Sequence, residues 1–272
     1  MTTGSSQKRY VKVGLLVLMT LADNGDNTTA ISDHVNQTCK VILSGRTFYK
    51  NVWNTLCLPF SLTAEQVAAQ LAPTKLMELD TKGTYTDDEN VNHQTGLEGT
   101  TLYLYFTKAT TISAGKPYLI KWASGENIEN PVFTAVIIDK TMHDVEFTGG
   151  KFVGTYSYTK YMEEDKSILF LGSNNTLYYP QPDTSNPDEP KYPSIGAFRA
   201  YFQLGNGITA GDVSDVRLFF NDSEATGIFD VERLTFNVQR DNAWHTLDGR
   251  QLQGKPTRHG LYIHGGRKVV VK

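Results

Sequence analysis

Residues 101–106 read Thr101-Leu102-Tyr103-Leu104-Tyr105-Phe106. Leucine alternates with tyrosine, so successive side chains suit the two faces of a pleated strand, and no apolar face repeats every 3.6 residues. The same strand character recurs outward in both directions. Cys39–Leu43, Thr47–Lys50, Trp53–Phe60, Pro117–Trp122, Val132–Ile138, Lys151–Tyr158, Ser167–Leu171, Thr176–Tyr179, Ala197–Leu204 and Val213–Phe220 are each rich in β-branched, aromatic or leucine residues. Most are bounded by Gly, Pro, Asn or Asp. Strands at this spacing, without helices between them, predict a sandwich or barrel rather than a βαβ fold. One helix is expected, Ala64 to Leu71. Thr63 and Gln66 make a capping box, Val67 and Leu71 share a face, and Pro73 stops it. The expected fold class is therefore all-β: a sandwich-like body with one short helix, plus a small C-terminal β unit.

The length of 272 residues suffices for a large core, and a hydrophobic share of 39% with 20% charged residues is that of an ordinary globular chain. Two cysteines rule out a disulfide-stapled scaffold and a multi-cysteine zinc module. A net charge of −3 argues against nucleic acid as the main partner. No apolar run reaches the ~20 residues of a membrane-spanning helix, so no transmembrane span is expected. The charge is unevenly placed. From Arg240 to Lys272, seven Lys/Arg against two Asp give +5, while the remaining 19 Lys/Arg and 27 Asp/Glu give −8. A basic tail on an acidic body suggests two modules.

At the N-terminus, Lys8, Arg9 and Lys12 precede the apolar run Val13–Ala22, with Thr20 and Ala22 at the small-residue positions. Residues 1–22 thus fit a secretory signal peptide or a buried first strand. The body is expected over 23–222 and the tail over 223–272, with the polar stretch Asn221–Thr226 between them. Five of the ten prolines fall between Pro180 and Pro193, marking an exposed loop inside the body. In the tail, Asp248-Gly249 predicts a two-residue type I′ hairpin after Ala243–Leu247, and Gly265-Gly266 a second turn between Gly260–Ile263 and Lys268–Val271.

No catalytic constellation stands out, so neither catalytic nor metal-ligating residues nor a cofactor are expected. The chain lacks a G-x-S-x-G elbow, a Walker loop and H-E-x-x-H. The six histidines are scattered without metal-ligand spacing. Asp87-Asp88-Glu89 and Glu163-Glu164-Asp165 are the densest acidic clusters, and both read as solvated loops without EF-hand spacing. Cys39 and Cys57 either pair in an oxidising compartment or stay as buried free thiols. Tyr103 and Tyr105 face away from Leu102 and Leu104, and Tyr178-Tyr179 opens onto the proline loop. Exposed rings of this kind stack on sugars, so these four tyrosines are candidate ligand contacts; filling a sheet core is their alternative use.

The tail reads Trp244-His-Thr-Leu-Asp-Gly-Arg-Gln-Leu252, then Lys255-Pro-Thr-Arg-His-Gly-Leu-Tyr-Ile263, then Gly266-Arg-Lys-Val-Val-Val-Lys272. This resembles the C-terminal sorting regions of secreted Bacteroidetes proteins. The shared pattern is a hairpin around Asp248, Gly249 and Arg250, a Gly-Leu-Tyr-Ile strand carrying Gly260 and Tyr262, and a basic last strand ending in Lys272. In that family the tail is a small β-sandwich, read by the type IX secretion machinery of the outer membrane and often then removed. The body segments Trp53–Phe60, Ala114–Trp122, Phe152–Tyr156, Asn175–Pro180 and Ala197–Leu204 resemble an uncharacterised β-rich module near the C-termini of large secreted or surface proteins of the same phylum. The resemblance implies an extracellular or outer-membrane-surface location. The leading expectation is a non-catalytic module with an export tail, binding glycan or surface protein. A secreted polysaccharide hydrolase using paired carboxylates and a structural spacer are the alternatives.

Overall fold

The computed structural model describes residues 16–86, 90–172, 177–184, 186, 188–221, 231–236, 244–245, 251–252, 255–257, 260–264 and 267–271. In chain order the elements begin with β1 (Val17–Ala22), α1 (Thr28–Asp33), β2 (Thr38–Ser44), β3 (Thr47–Phe48), β4 (Asn54–Leu56), α2 (Ala64–Gln70) and β5 (Lys75–Leu79). There follow β6 (Thr84–Thr86), β7 (Asn92–Gln94), β8 (Gly96–Glu98), β9 (Thr101–Lys108), β10 (Tyr118–Lys121), β11 (Ile128–Glu129), β12 (Val132–Ile137) and β13 (Val145–Phe147). Next come β14 (Gly150–Thr155), β15 (Thr159–Lys160), β16 (Ile168–Leu171), β17 (Leu177–Tyr178), β18 (Ser194–Ile195), β19 (Arg199–Leu204) and β20 (Asp215–Asn221). The last are β21 (Val231–Phe236), β22 (Trp244–His245), β23 (Gln251–Leu252), β24 (Gly260–His264) and β25 (Arg267–Val271). The fold is all-β, as the periodicity predicts.

The largest sheet has the order β21-β20-β9-β5-β10-β4. β9 lies inside it, with parallel β20 on one side and β8, then β5, along the other. Both faces of β9 are covered, as an inner strand requires: Leu102, Leu104 and Phe106 look one way, Tyr103 and Tyr105 the other. The leucine face packs on a five-stranded sheet, β13-β14-β19-β16-β17. Rings carry much of this interface. Phe152 stacks on Phe202 at 4.6 Å and meets Phe106 edge-on at 6.0 Å.

The other face of the large sheet, at its β10–β4 end, packs on a three-stranded sheet of order β1-β2-β12. Met19, Leu21, Val41 and Leu43 enter this core from one side, Tyr118 and Ile120 from the other. α2 closes it with Val67. The capping box forms as expected: Gln66 N–H donates to Thr63 Oγ1 at 3.2 Å, and Thr63 N–H donates to Gln66 Oε1 at 3.0 Å. Trp122 then ties the end of α2 to β10 by donating Nε1–H to the Leu71 carbonyl at 2.8 Å.

Three features add to the expected layout. A second short helix, α1, buries only Ile31 and has no side-chain N-cap, so its sequence carries no start signal. Residues 17–22 form a strand, one of the two readings of the N-terminal run, and Met19 and Leu21 are core residues. β21 lies beyond the boundary placed at residue 222, yet it pairs antiparallel with β20 over six residue pairs, Val216↔Phe236 to Asn221↔Val231. The large sheet therefore recruits a strand from the stretch assigned to the tail.

Candidate functional site

The tail residues build their own sheet, of order β23-β22-β24-β25. β24 and β25 pair Gly260↔Val271 through His264↔Arg267, the register that a two-residue connection at Gly265-Gly266 demands. β22 and β23 differ from expectation. A two-residue turn at Asp248-Gly249 would set His245 opposite Leu252; instead His245 pairs with Gln251 and Trp244 with Leu252. Asp248, Gly249, Arg250 and Lys272 lie outside the described residues. Gly260 and Tyr262 lie on β24, two residues apart and so on one face. A β-carbon on Gly260 would stand 3.1 Å from the Tyr262 ring, so the ring leans back over its own strand close to the glycine. By register, Trp244, Tyr262, Val269 and Val271 share that face. A groove of about 790 Å³ runs beside it, lined by Trp244, Lys255, Pro256, Thr257 and Val269 to Val271.

The candidate tyrosines divide between two sheets. Tyr103 and Tyr105 face away from the leucines as expected, but they form no open shelf, being only 8% and 9% exposed. The β6–β7 hairpin lies across them. Its Tyr85 stacks on Phe219 at 3.8 Å, and its His93 stacks on Tyr103 at 4.1 Å. Phe219 and Tyr103 are themselves 6.3 Å apart and within 10° of parallel, which completes a row of four rings. His93 Nδ1 lies 2.7 Å from Glu98 Oε2, and Arg217 lies 5.8 Å over the Tyr103 ring. Tyr178 and Tyr179 belong to the five-stranded side and are half-buried. Tyr178 pairs with Phe170, while Tyr179 packs against the inter-sheet core with Lys166 Nζ 5.6 Å from its ring. The sequence reading missed the hairpin cover because its contacts join residues far apart in the chain.

A polar cleft of about 590 Å³ gathers Glu78, Asp80, Asp144 and Glu146 with Lys82, Lys116 and His143. Two of its carboxylates are already engaged: Lys116 Nζ lies 2.5 Å from Glu78, and Lys151 Nζ 2.7 Å from Asp144. Where the fold moves a carboxyl pKa among the described residues, it moves it down. Asp26, Asp139 and Asp212 are each held below the usual range by hydrogen bonds from Thr28, Thr141 and Thr209, Asp26 to about 2. A glycoside-cleaving acid needs the opposite shift. In the Glu163-Glu164-Asp165 stretch, Glu164 pairs with Lys166 at 3.1 Å and Asp165 accepts from Ser167; Asp87-Asp88-Glu89 lies outside the described residues. Among the described residues no group of three His, Cys, Asp or Glu has metal-holding geometry.

Cys39 and Cys57 are free and buried. Burial pushes both thiols up, which leaves them protonated and poor nucleophiles. Arg46 is the most unexpected polar residue, 3% exposed. It donates to the Thr47 and Thr55 carbonyls at 3.0 and 2.8 Å and covers the Phe48 ring at 4.7 Å. Burial, reinforced by nearby Arg199, pulls its pKa down to about 9. Its bonds join β3 to β4, which is a structural task. Set against protein-family models, curated proteins and solved structures, the chain matches none of them.

Proposed function

We propose that this chain is a non-catalytic module of the cell surface or extracellular space whose C-terminal β unit serves as its export tag. The observation that carries this reading is the tail sheet. β22 to β25 pair with one another, in the stretch where the chain's positive charge is concentrated and where the sorting-region resemblance lies. A compact basic unit at the end of an acidic body suits recognition by separate machinery, here the type IX apparatus of the outer membrane. The non-catalytic part draws support from Glu78 and Asp144, the two cleft carboxylates already engaged in ion pairs with Lys116 and Lys151. For the body, the partner class is a glycan or a surface protein, with the half-buried Tyr178 and Tyr179 as its ring contacts.

The test compares the full chain with a version ending at residue 236, both behind the same inner-membrane leader, in a Bacteroidetes host with and without the type IX machinery. Surface protease accessibility is the readout. The full chain is expected at the surface only when the machinery is present, and the shortened chain is expected in the periplasm. Equal surface exposure of the two would overturn the reading.

A further inference from the structure

β25 ends the tail sheet, so one of its two edges carries no neighbouring strand among the described residues. Open edges are templates for strand addition, and proteins usually blunt them with proline, a bulge, brevity or charged side chains, lysine above all. β25 lacks the first three; Arg267 and Lys268 at its start are of the fourth kind, so an added strand must bring opposite charge to meet them. It runs five residues, Arg267 to Val271, in unbroken register with β24. Val270 is 65% exposed, while Val271 on the opposite face is 8% exposed. The groove floored by Trp244, Pro256, Val269 and Val271 adjoins the same strand, and exposed Lys255 and Thr257 line it.

We infer that the open edge of β25 and this groove form a docking site for an extended, carboxylate-bearing segment of a partner protein, which adds as a further strand. The inference rests on the reading of the tail as a recognition unit. Backbone pairing supplies register-tolerant affinity, and side chains of the incoming strand alternate between the groove and the Val270 face. Charge selects the occupant. Residues 240–272 carry +5, with Arg267 and Lys268 within the edge strand itself and Lys255 at the groove. A segment with carboxylates at alternate positions complements that field, whereas a second copy of the same basic unit is repelled by it.

The probe is a synthetic peptide of alternating Glu and Val flanked by Thr, with a Lys-for-Glu version as control, added to the full isotope-labelled chain. Amide exchange is the readout. The acidic peptide is expected to slow exchange within 267–271 and leave β1, another sheet-edge strand, unchanged. Its affinity should fall at least tenfold in Lys255→Glu and in Val270→Asp, the latter a change at an exposed position that leaves the core intact. Raising salt from 50 to 500 mM should weaken it as well. Absence of protection at millimolar peptide, equal binding of the lysine control, or protection of 267–271 that depends on protein concentration without peptide would each overturn the inference. The export test separates the two readings. If truncation at residue 236 blocks export while the peptide fails to bind, the docking site falls and the tag stands. If the peptide protects β25 while the truncated chain is exported normally, the docking site stands and the tag falls.

Discussion

Gly154 on β14 lies directly against Cys57: a β-carbon at position 154 would collide with the Cys57 sulfur and stand 2.7 Å from its Cβ. The five-stranded sheet approaches the end of β4 through this gap. Gly154 pairs with Ala200 on β19, and the Cys57 amide donates to the Phe198 carbonyl at 3.2 Å. Gly154→Ala should therefore destabilise the body by about 1–3 kcal/mol through overpacking alone. Cys57→Ala should recover part of that loss, with a coupling of about 1 kcal/mol in the double-mutant cycle. Urea denaturation followed by tryptophan fluorescence measures all four corners. Additive losses would mean that the two residues do not compete for the same space.

Alkaline pH should weaken the fold at the same place. Burial raises the Cys57 thiol well above its ordinary 9.0, and burial followed by the charge of Cys57 raises the Tyr156 hydroxyl above its ordinary 10.0. Tyr156 is tied down by donating to the Leu58 and Thr141 carbonyls, at 3.1 and 3.2 Å. In the unfolded chain both groups ionise at their ordinary values, while in the folded chain they remain protonated. Their contribution is thus intact below pH 9 and is lost as pH rises, by up to about 1.4 kcal/mol per pH unit for each group. Denaturation midpoints between pH 8 and 10.5 should fall, and Cys57→Ala should flatten the first part of the decline. A slope unchanged by that substitution would place the alkaline sensitivity elsewhere.

Among the described residues the β6–β7 hairpin shares no ladder with the large sheet, and it lies on it through Tyr85 and His93. Tyr85→Ala removes the ring that sits 3.8 Å from Phe219. It should cost about 1–2 kcal/mol. Amide exchange should quicken in 84–94 and stay slow in β9 and β20, whose pairing is independent of the hairpin. Equal loosening of β9 would show that the hairpin is part of the sheet's own stability. Tyr103→Ala, by contrast, should lower global stability without changing binding on a glycan array, because its ring is a covered core group rather than a ligand contact.

What could be read from the sequence follows the geometry of burial. β2, β9, β19 and β20 announce themselves because alternation is conspicuous where the two faces differ in chemistry, as in Leu102 against Tyr103. β5 is invisible in the sequence: in Lys75-Leu-Met-Glu-Leu79 the residues Leu76, Met77 and Leu79 are buried and the other two half-buried, so no alternation survives, although the strand is central. β1 read equally well as a leader, since an apolar run of ten residues satisfies either use. The orientation of Tyr103 and Tyr105 is a local property, legible in the alternation with Leu102 and Leu104. Their burial depends on rings contributed from residues 85 and 93, and no local pattern carries that. The tail turns show the same limit: Gly265-Gly266 agrees with the observed register, whereas Asp248-Gly249 predicted one that differs by a residue.

The tail offers the sharpest test of whether it folds as its own unit. Gly260 leaves room for the Tyr262 ring, whose Cε2 would lie 3.1 Å from an added β-carbon. Alanine there needs the ring to yield by only a few tenths of an ångström, so Gly260→Ala should be mild. Valine adds two branches toward the same ring and toward Val271 across the ladder, so Gly260→Val should loosen the pairing of β24 with β25. Tyr262→Ala in the same chain should restore it, because the obstruction is then gone. Amide exchange of 260–264 and 267–271 reports the tail, and that of β9 and β19 reports the body. The expected result is fast exchange in the tail alone for Gly260→Val, slow exchange again in the double variant, and an unchanged body throughout. Loss of protection in β9 or β19 would show that the tail sheet and the body share one cooperative core, joined through β21, whose six pairs with β20 already carry the chain across the boundary the charge pattern suggested.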